Sequence, residues 1–489
     1  MARAALNIAA RLRRTFDGIV RGDPPAIAQR VEAEDVQGLV LRGYGHLAYA
    51  AYPLLSFTDR KRAAAWLAQT LTTIARGQPA ARDQAVQIAF TPAGLSSLGL
   101  RDDELQGFSR EFLSGMVGDH RSRFLGDVEE SAPERWLWGG PKTATVHALL
   151  LLFAADEARL SQLQATLRQS YAAHGVKELR VLDTAALSSS EHFGFADGIS
   201  QPAIEGYHES SSQLHAIKAG EFLLGYANEY GLYTERPLLS AARDAHGLLA
   251  PDVENTSQRD LGRNGTYLVV RQLRQNVPLF RQTLDKLTRR ADGSPDADAQ
   301  ARLAAQMVGR WPSGASLLEA PYADDVSKAH SNEFRYHDLD PVGERCPIGA
   351  HVRRANPRDA LPPHPGTEYS LEVNRHHRLL RRGRGYGDKL PLGQEDDTDR
   401  GLMFIGINAN ITRQFEFIQH SWLNDPRFNG LDAQADPIMG ASNDNQFAPS
   451  PHPVSVRCTG LPRFVTVAGG GYFFMPGMRA LRFLSELTP

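Results

Sequence analysis

The chain has 489 residues, 42% hydrophobic and 22% charged, which is the composition of a soluble globular protein too long for one ordinary core, so two domains are expected. Lys+Arg 54 against Asp+Glu 56 leaves a formal net charge of -2, which excludes a general attraction to nucleic acid or anionic lipid. Cys346 and Cys458 are too few for a disulfide framework, and no apolar run reaches the length of a membrane span.

At the N-terminus, "LRRTF" (Leu12 to Phe16) has the look of a twin-arginine export signal. The following "DGIVRGDPPAIAQ" carries charges and two prolines where a signal needs an apolar stretch, so a basic amphipathic segment and a cytoplasmic protein are expected. Residues 35–42, "DVQGLVLR", read as a strand entering from a loop. "DRKRAAAWLAQTLTTIA" (59–75) has helical apolar spacing after a Thr-Asp start. "AVQIAFT" (85–91) reads as a strand, "PAGLSSLGL" as a short helix closed by Gly99, and "ATVHALLLLFAAD" (144–156) as a buried strand. "DEARLSQLQATLRQSYAAHG" is a helix ended by Gly175. Strand, helix, strand, strand, helix is the rhythm of a split βαβ, ferredoxin-like unit.

The second half repeats it. Strands are expected at 265–277, 399–411 and 463–475. Helices are expected in "VPLFRQTLDKLTRRA", "DADAQARLAAQMVGRW", "TRQFEFIQHSWLND" (with Thr412 as N-cap) and "RALRFLSEL". Residues 205–260 are loop-rich and join the halves, which places the boundary of the two domains at 258/259. The loop at 355–400 is too long to be idle in a compact domain and is expected to line a site.

Three segments carry chemistry. "HFGFADGISQP" (192–202) sets Asp197 between glycines and aromatics; alone, such an Asp is most often an Asx-turn residue ahead of a proline. "CPIGAHVRRANPRD" (346–359) sets His351 amid small residues with arginines behind it. A lone histidine there is usually structural; without a second His or Cys at zinc spacing a protein-only zinc site is disfavoured, whereas haem takes a single histidine. "HHRLLRRGRGYGD" (376–388) is not a dinucleotide fingerprint, and "AGGG" (468–471) lacks the Lys-Ser/Thr of a P-loop.

Together these segments resemble the dye-decolorizing peroxidase family. The family's GxxDG signature is matched by Gly194-Phe195-Ala196-Asp197-Gly198, its CPxGAHxRxxNPR block by the segment holding His351, and its LRRG block by Leu380-Arg381-Arg382-Gly383. Segments such as "GRNGTYLVVRQL", "MVGRWPSGA" and "GGGYFFMPG" extend the likeness to its longer, fungal-like members, from about residue 35 onward. The resemblance implies an α+β fold of two ferredoxin-like domains (1–258, carrying the Asp loop, and 259–489). Their antiparallel sheets would meet face to face in a dimeric α+β barrel-like arrangement around haem b. It implies reduction of hydrogen peroxide and one-electron oxidation of dyes or phenols through compound I, in a monomer or homodimer that binds neither nucleic acid nor membrane.

By the resemblance, His351 is the iron ligand, Asp197 moves the peroxide proton, and Arg381 stabilises charge as the O–O bond breaks. Gly198 lets the backbone approach the macrocycle, and Arg353 contacts a propionate. Asn410, where many members place Asp, or alternatively Glu416, would accept the hydrogen of the histidine; Glu416 is equally well a helix-surface residue. Tyr386 and then Trp422 are the candidate surface radicals, although most Tyr and Trp are simply packing. Two other readings stay open: a haem-processing protein that releases iron, which needs His351 but not the Asp197–Arg381 pair, and an interaction module with no use for "GFADG".

Overall fold

The structure is a computed structural model that describes residues 30–209, 212, 214–450 and 456–487; Leu12 to Phe16 lies outside them. Four strands come from the first half: β1 (Tyr49–Phe57), β2 (Gln84–Phe90), β3 (Ala148–Ala154) and β4 (Val176–Asp183). Helix α1 (Arg60–Thr70) lies between β1 and β2, and α2 (Glu157–Ala173) between β3 and β4. Both helices start at an aspartate whose side chain accepts a backbone N–H three residues on, Asp59 from Arg62 at 2.9 Å and Asp156 from Arg159 at 2.8 Å. All pairings are antiparallel, in the order β4-β1-β3-β2, which is the split βαβ order read from the sequence.

The second half supplies β5 (Thr266–Gln275), β6 (Leu380–Arg381), β7 (Arg384–Tyr386), β8 (Gly401–Asn408) and β9 (Val465–Met475). Helices α3 (Val277–Thr288) and α4 (Ala297–Val308) follow β5. Strand β8 pairs with β5, with β6 and with β7, and β9 pairs with β5, so the order is again that of a split βαβ unit.

The two sets join edge to edge through one residue pair, Phe474 with Phe90, in a single open sheet. The α+β class is as expected; a closed barrel is not formed. Both faces of the sheet are buried. Leu150 and Leu152 of β3 belong to one apolar cluster, Leu149 and Leu151 to the other, as the period of two requires. Helix α5 (Met478–Glu486) crosses back to the first half, where Arg60 of α1 donates to the Leu487 carbonyl at 3.3 Å.

Two local readings change. Residues 38–41 form one helical turn instead of a strand, with all four residues buried. Residues 412–424 wind as a π-helix, interrupted at Phe417, and Thr412 does not cap it; the Asn410 side chain accepts the Arg413 N–H instead, at 2.9 Å. Cys346 and Cys458 are free thiols. No helix among the described residues is long and apolar enough to cross a membrane.

Candidate active site

One cavity brings the three motifs together. About 270 Å³ of it is open to the centre of a water-sized sphere, and His351, Asp197 and Arg381 all line it. Leu402, Phe404, Phe415, Ile438 and Met439 supply apolar wall. The face of β5 and β8 forms the floor, so the sheet fixes the site on rigid backbone.

His351 opens a short helix, His351–Ala355. Its Nδ1 donates to Asp436 Oδ2 at 2.9 Å, which leaves Nε2 for the cavity. Asp436 is fully buried, and its other oxygen accepts the N–H groups of Ile438 at 2.8 Å and Met439 at 2.7 Å. Burial alone would lower the pKa of His351, but the Asp436 charge and hydrogen bond raise it. Burial likewise works to raise Asp436; the imidazole and Arg354 prevail and hold it down.

Asp197 stands in a loop bracketed by Gly194 at φ +102° and Gly198 at φ +82°, values that favour glycine. A Cβ built on either glycine would meet nothing within 4 Å. Asp197 Oδ1 accepts the Gly198 N–H at 2.6 Å and Arg381 Nη1 at 3.0 Å. The Arg381 charge holds the Asp197 carboxyl below its ordinary value, against the opposing effect of burial. Strand β6 carries Arg381, and the Gln201 side chain accepts its backbone N–H at 3.0 Å.

The cavity lining also holds Arg271, Arg310, Arg358 and Arg378, against only two carboxylates, Glu191 and Asp197. Arg271 is paired with Asp127. Arg310 and Arg358 are spent on carbonyl groups and the Asn332 side chain. Among the described residues Arg378 has one long bond, 3.4 Å to the Leu214 carbonyl, and its buried Nη2 has no partner. Burial, with Arg358 and Arg381 nearby, pushes Arg378 down to about 9. An apolar slot with surplus buried positive charge fits a flat anionic ligand.

Known proteins are similar to the chain over most of its length. Peroxidase 2 of Mycetinis scorodonius is 32% identical over 475 residues, 89% of this chain and 80% of its own. The chain belongs to the dye-decolorizing peroxidases. The dye-decolorizing peroxidase of Mycena epipterygia is 30% identical, over 81% of this chain and 75% of its own. Among solved structures, an ancestral D-type dye decolorizing peroxidase matches with TM-score 0.74 at 26% identity, over 93% of this chain and 99% of that one. A dye-decolorizing peroxidase in complex with 2,6-dimethoxyphenol gives TM-score 0.76 at 24% identity, over 93% and 100%. No protein-family model matches the chain.

Members of the dye-decolorizing peroxidases are haem enzymes, and the residues present fit haem. His351 offers a single nitrogen oriented by a carboxylate, the walls are apolar, and the arm of Arg378 that has no partner among the described residues suits a propionate.

Four expectations about dye-decolorizing peroxidase residues need correction. Arg353 is 1% exposed and turns away from the cavity to Asp340 Oδ2 at 2.9 Å and the Cys346 carbonyl at 2.7 Å. Two residues after His351 on a helix, it points to the opposite side. Neither Asn410 nor Glu416 touches His351. Asn410 accepts the Arg413 N–H, and Glu416, buried and not on the helix surface, accepts the Tyr472 hydroxyl at 2.6 Å and pairs with Arg121. Tyr386 is 6% exposed because "RGY" is strand β7, not a flexible loop, and its hydroxyl donates to Asp399 at 3.1 Å. Trp422 is 5% exposed, edge-on to His377 at 5.1 Å and Phe417 at 5.5 Å. Neither ring is a surface residue. Arg382 is held by the Leu39 carbonyl at 3.0 Å, away from Asp197.

Sequence reasoning missed Asp436 and Arg378. An acid in "ADPIMG" gives no local sign of a partner 85 residues away; Arg378 stood three residues before the arginine that the LRRG block singled out.

Proposed function

We propose that this peroxidase holds haem b on His351 and couples reduction of hydrogen peroxide to one-electron oxidation of dyes or phenols. The net change is one hydrogen peroxide and two reductant molecules giving two waters and two reductant radicals. The observation that carries the reading is the meeting, in one cavity, of a carboxylate-backed histidine and an Asp–Arg pair.

Haem, when bound, supplies the redox chemistry that accepts two oxidising equivalents from peroxide. Asp436 orients the His351 ring and makes it a stronger donor. Asp197 takes the proton from one peroxide oxygen and delivers it to the other, which leaves as water. Arg381 keeps Asp197 ionised and so ready to accept that proton, and its guanidinium favours the negative charge that develops as the O–O bond breaks.

The test is a stopped-flow spectrum of haem-loaded protein mixed with about one equivalent of peroxide. A fast loss of Soret intensity with new red-visible bands, greatly slowed in Asp197→Asn, is expected. An unchanged ferric spectrum would overturn the peroxidase reading in favour of haem processing.

A further inference from the structure

Asp197 sits in a loop with no helix or strand of its own, yet the proposed proton transfer needs its carboxyl placed within a fraction of an ångström. The backbone of that loop must be fixed by something else. Its first residue, Glu191, has no role in the reading above.

The Glu191 side chain folds back over its own loop. Oε2 accepts the Phe193 N–H at 2.9 Å, and Oε1 accepts the Phe195 N–H at 2.9 Å. The Glu191 backbone closes the same turn: its N–H donates to the Phe195 carbonyl at 2.9 Å, and its carbonyl accepts the Gly194 N–H at 3.0 Å. Four hydrogen bonds thus centre on one residue within five positions. A fifth anchors it to the sheet, since Gln275 at the end of β5 donates to Oε2 at 2.5 Å. Downstream, the Ala196 N–H donates to the Pro312 carbonyl at 3.0 Å. Phe193 and Phe195 are thereby splayed, Phe193 against Phe280 at 4.5 Å between ring centres and Phe195 into the core. Hydrogen bonds to a carboxylate are the stronger kind, and this one ties the loop at its base to the rigid floor of the cavity.

We propose that Glu191 is a positioning residue: its carboxylate clamps the 191–197 loop to the end of β5 and so sets where Asp197 meets a ligand proton. This rests on the reading of Asp197 as proton acceptor, and it adds a residue that neither the Asp nor the Arg motif contains. Glu191 transfers no proton itself.

Two ligands of ferric haem separate positioning from mere folding. Hydrogen cyanide must lose its proton to bind as cyanide, so its association rate depends on a placed base. Imidazole binds neutral and needs none. In haem-loaded Glu191→Ala, cyanide association should slow about tenfold, in the range seen when residues that orient a site are removed, while imidazole affinity stays within about twofold. Glu191→Gln, which keeps an acceptor oxygen, should recover part of the loss. In an Asp197→Asn background, Glu191→Ala should slow cyanide no further, because the base it places is already gone.

An unchanged cyanide rate in Glu191→Ala overturns the proposal. So does an equal fall for both ligands, or a full additional fall in the Asp197→Asn background. Should Glu191→Ala fail to take up haem, Glu191→Gln decides, with no slowing of cyanide relative to imidazole counting against. Failure of the peroxidase reading shows instead in the wild-type protein mixed with peroxide, so the two are distinguishable.

Discussion

Replacing Arg381 by Leu should move the acid limb of the peroxide reaction. Asp197 must be ionised to accept a proton, so the rate falls as pH drops through its pKa. The Arg381 charge holds that pKa below its ordinary value, so wild-type activity should persist well into acid. Two opposite charges about 4 Å apart interact by about 4 kcal/mol at an effective dielectric of about 20. The exposed parts of the two side chains, 48% for Asp197 and 34% for Arg381, face the cavity, and screening there leaves about 1–2 kcal/mol. Losing that interaction should raise the Asp197 pKa and so carry the acid limb to higher pH in Arg381→Leu. The assay is the second-order rate constant for peroxide, by stopped flow, from about pH 3 to about pH 7. A limb displaced upward in pH, together with a lower plateau, supports both roles of Arg381. A lower plateau with an unmoved limb would refute the electrostatic coupling and leave Arg381 with charge stabilisation alone.

Asp436→Asn keeps the shape at His351 but removes the charge, so haem affinity should fall about 10–100-fold, read by transfer to a haem-scavenging globin. Arg378→Leu should weaken haem uptake, yet the haem-free protein should melt no lower, because a buried guanidinium with an unpartnered nitrogen is lost; a drop of several degrees in Tm would contradict this. Tyr386→Phe should leave oxidation of a bulky dye unchanged, since the ring is buried and its hydroxyl is bonded to Asp399; a slowed dye reaction with normal peroxide reaction would restore it as a radical site.

The strands β2, β3, β5 and β8 were legible because runs such as "ALLLLFA" are apolar at consecutive positions, which a strand buried on both faces requires. The helix starts at Asp59 and Asp156 were legible in principle from local cap chemistry. "GLVL" misled because a short apolar run does not tell a strand from a buried helical turn, whereas the turn at 38–41 is set by packing: a Cβ on Gly38 would fall 2.2 Å from the Tyr44 hydroxyl, and the Gln37 side chain bonds the distant Ile88 and Pro476 carbonyls. The core of the site, Asp197, His351 and Arg381, was legible from three ordered motifs, and the structure brings them to one cavity. Its supports were not. Asp436 and Arg378 reach the cavity only through tertiary placement, and Glu191, whose loop contacts are local, is tied to the sheet by Gln275, 84 residues away. The expected exposure of Tyr386 and Trp422 failed for the same reason, since it depends on what packs over them.

The return of helix α5 to the first half bears on the order of synthesis. Leu481 and Leu484 of that helix join the same apolar cluster as Ala63, Trp66 and Leu67 of α1. A growing chain therefore displays this face of its first sheet and helix to solvent or to a chaperone until helix α5 has emerged. The half that carries Asp197 is made first, and this face of it is covered only by a helix made near the end of the chain.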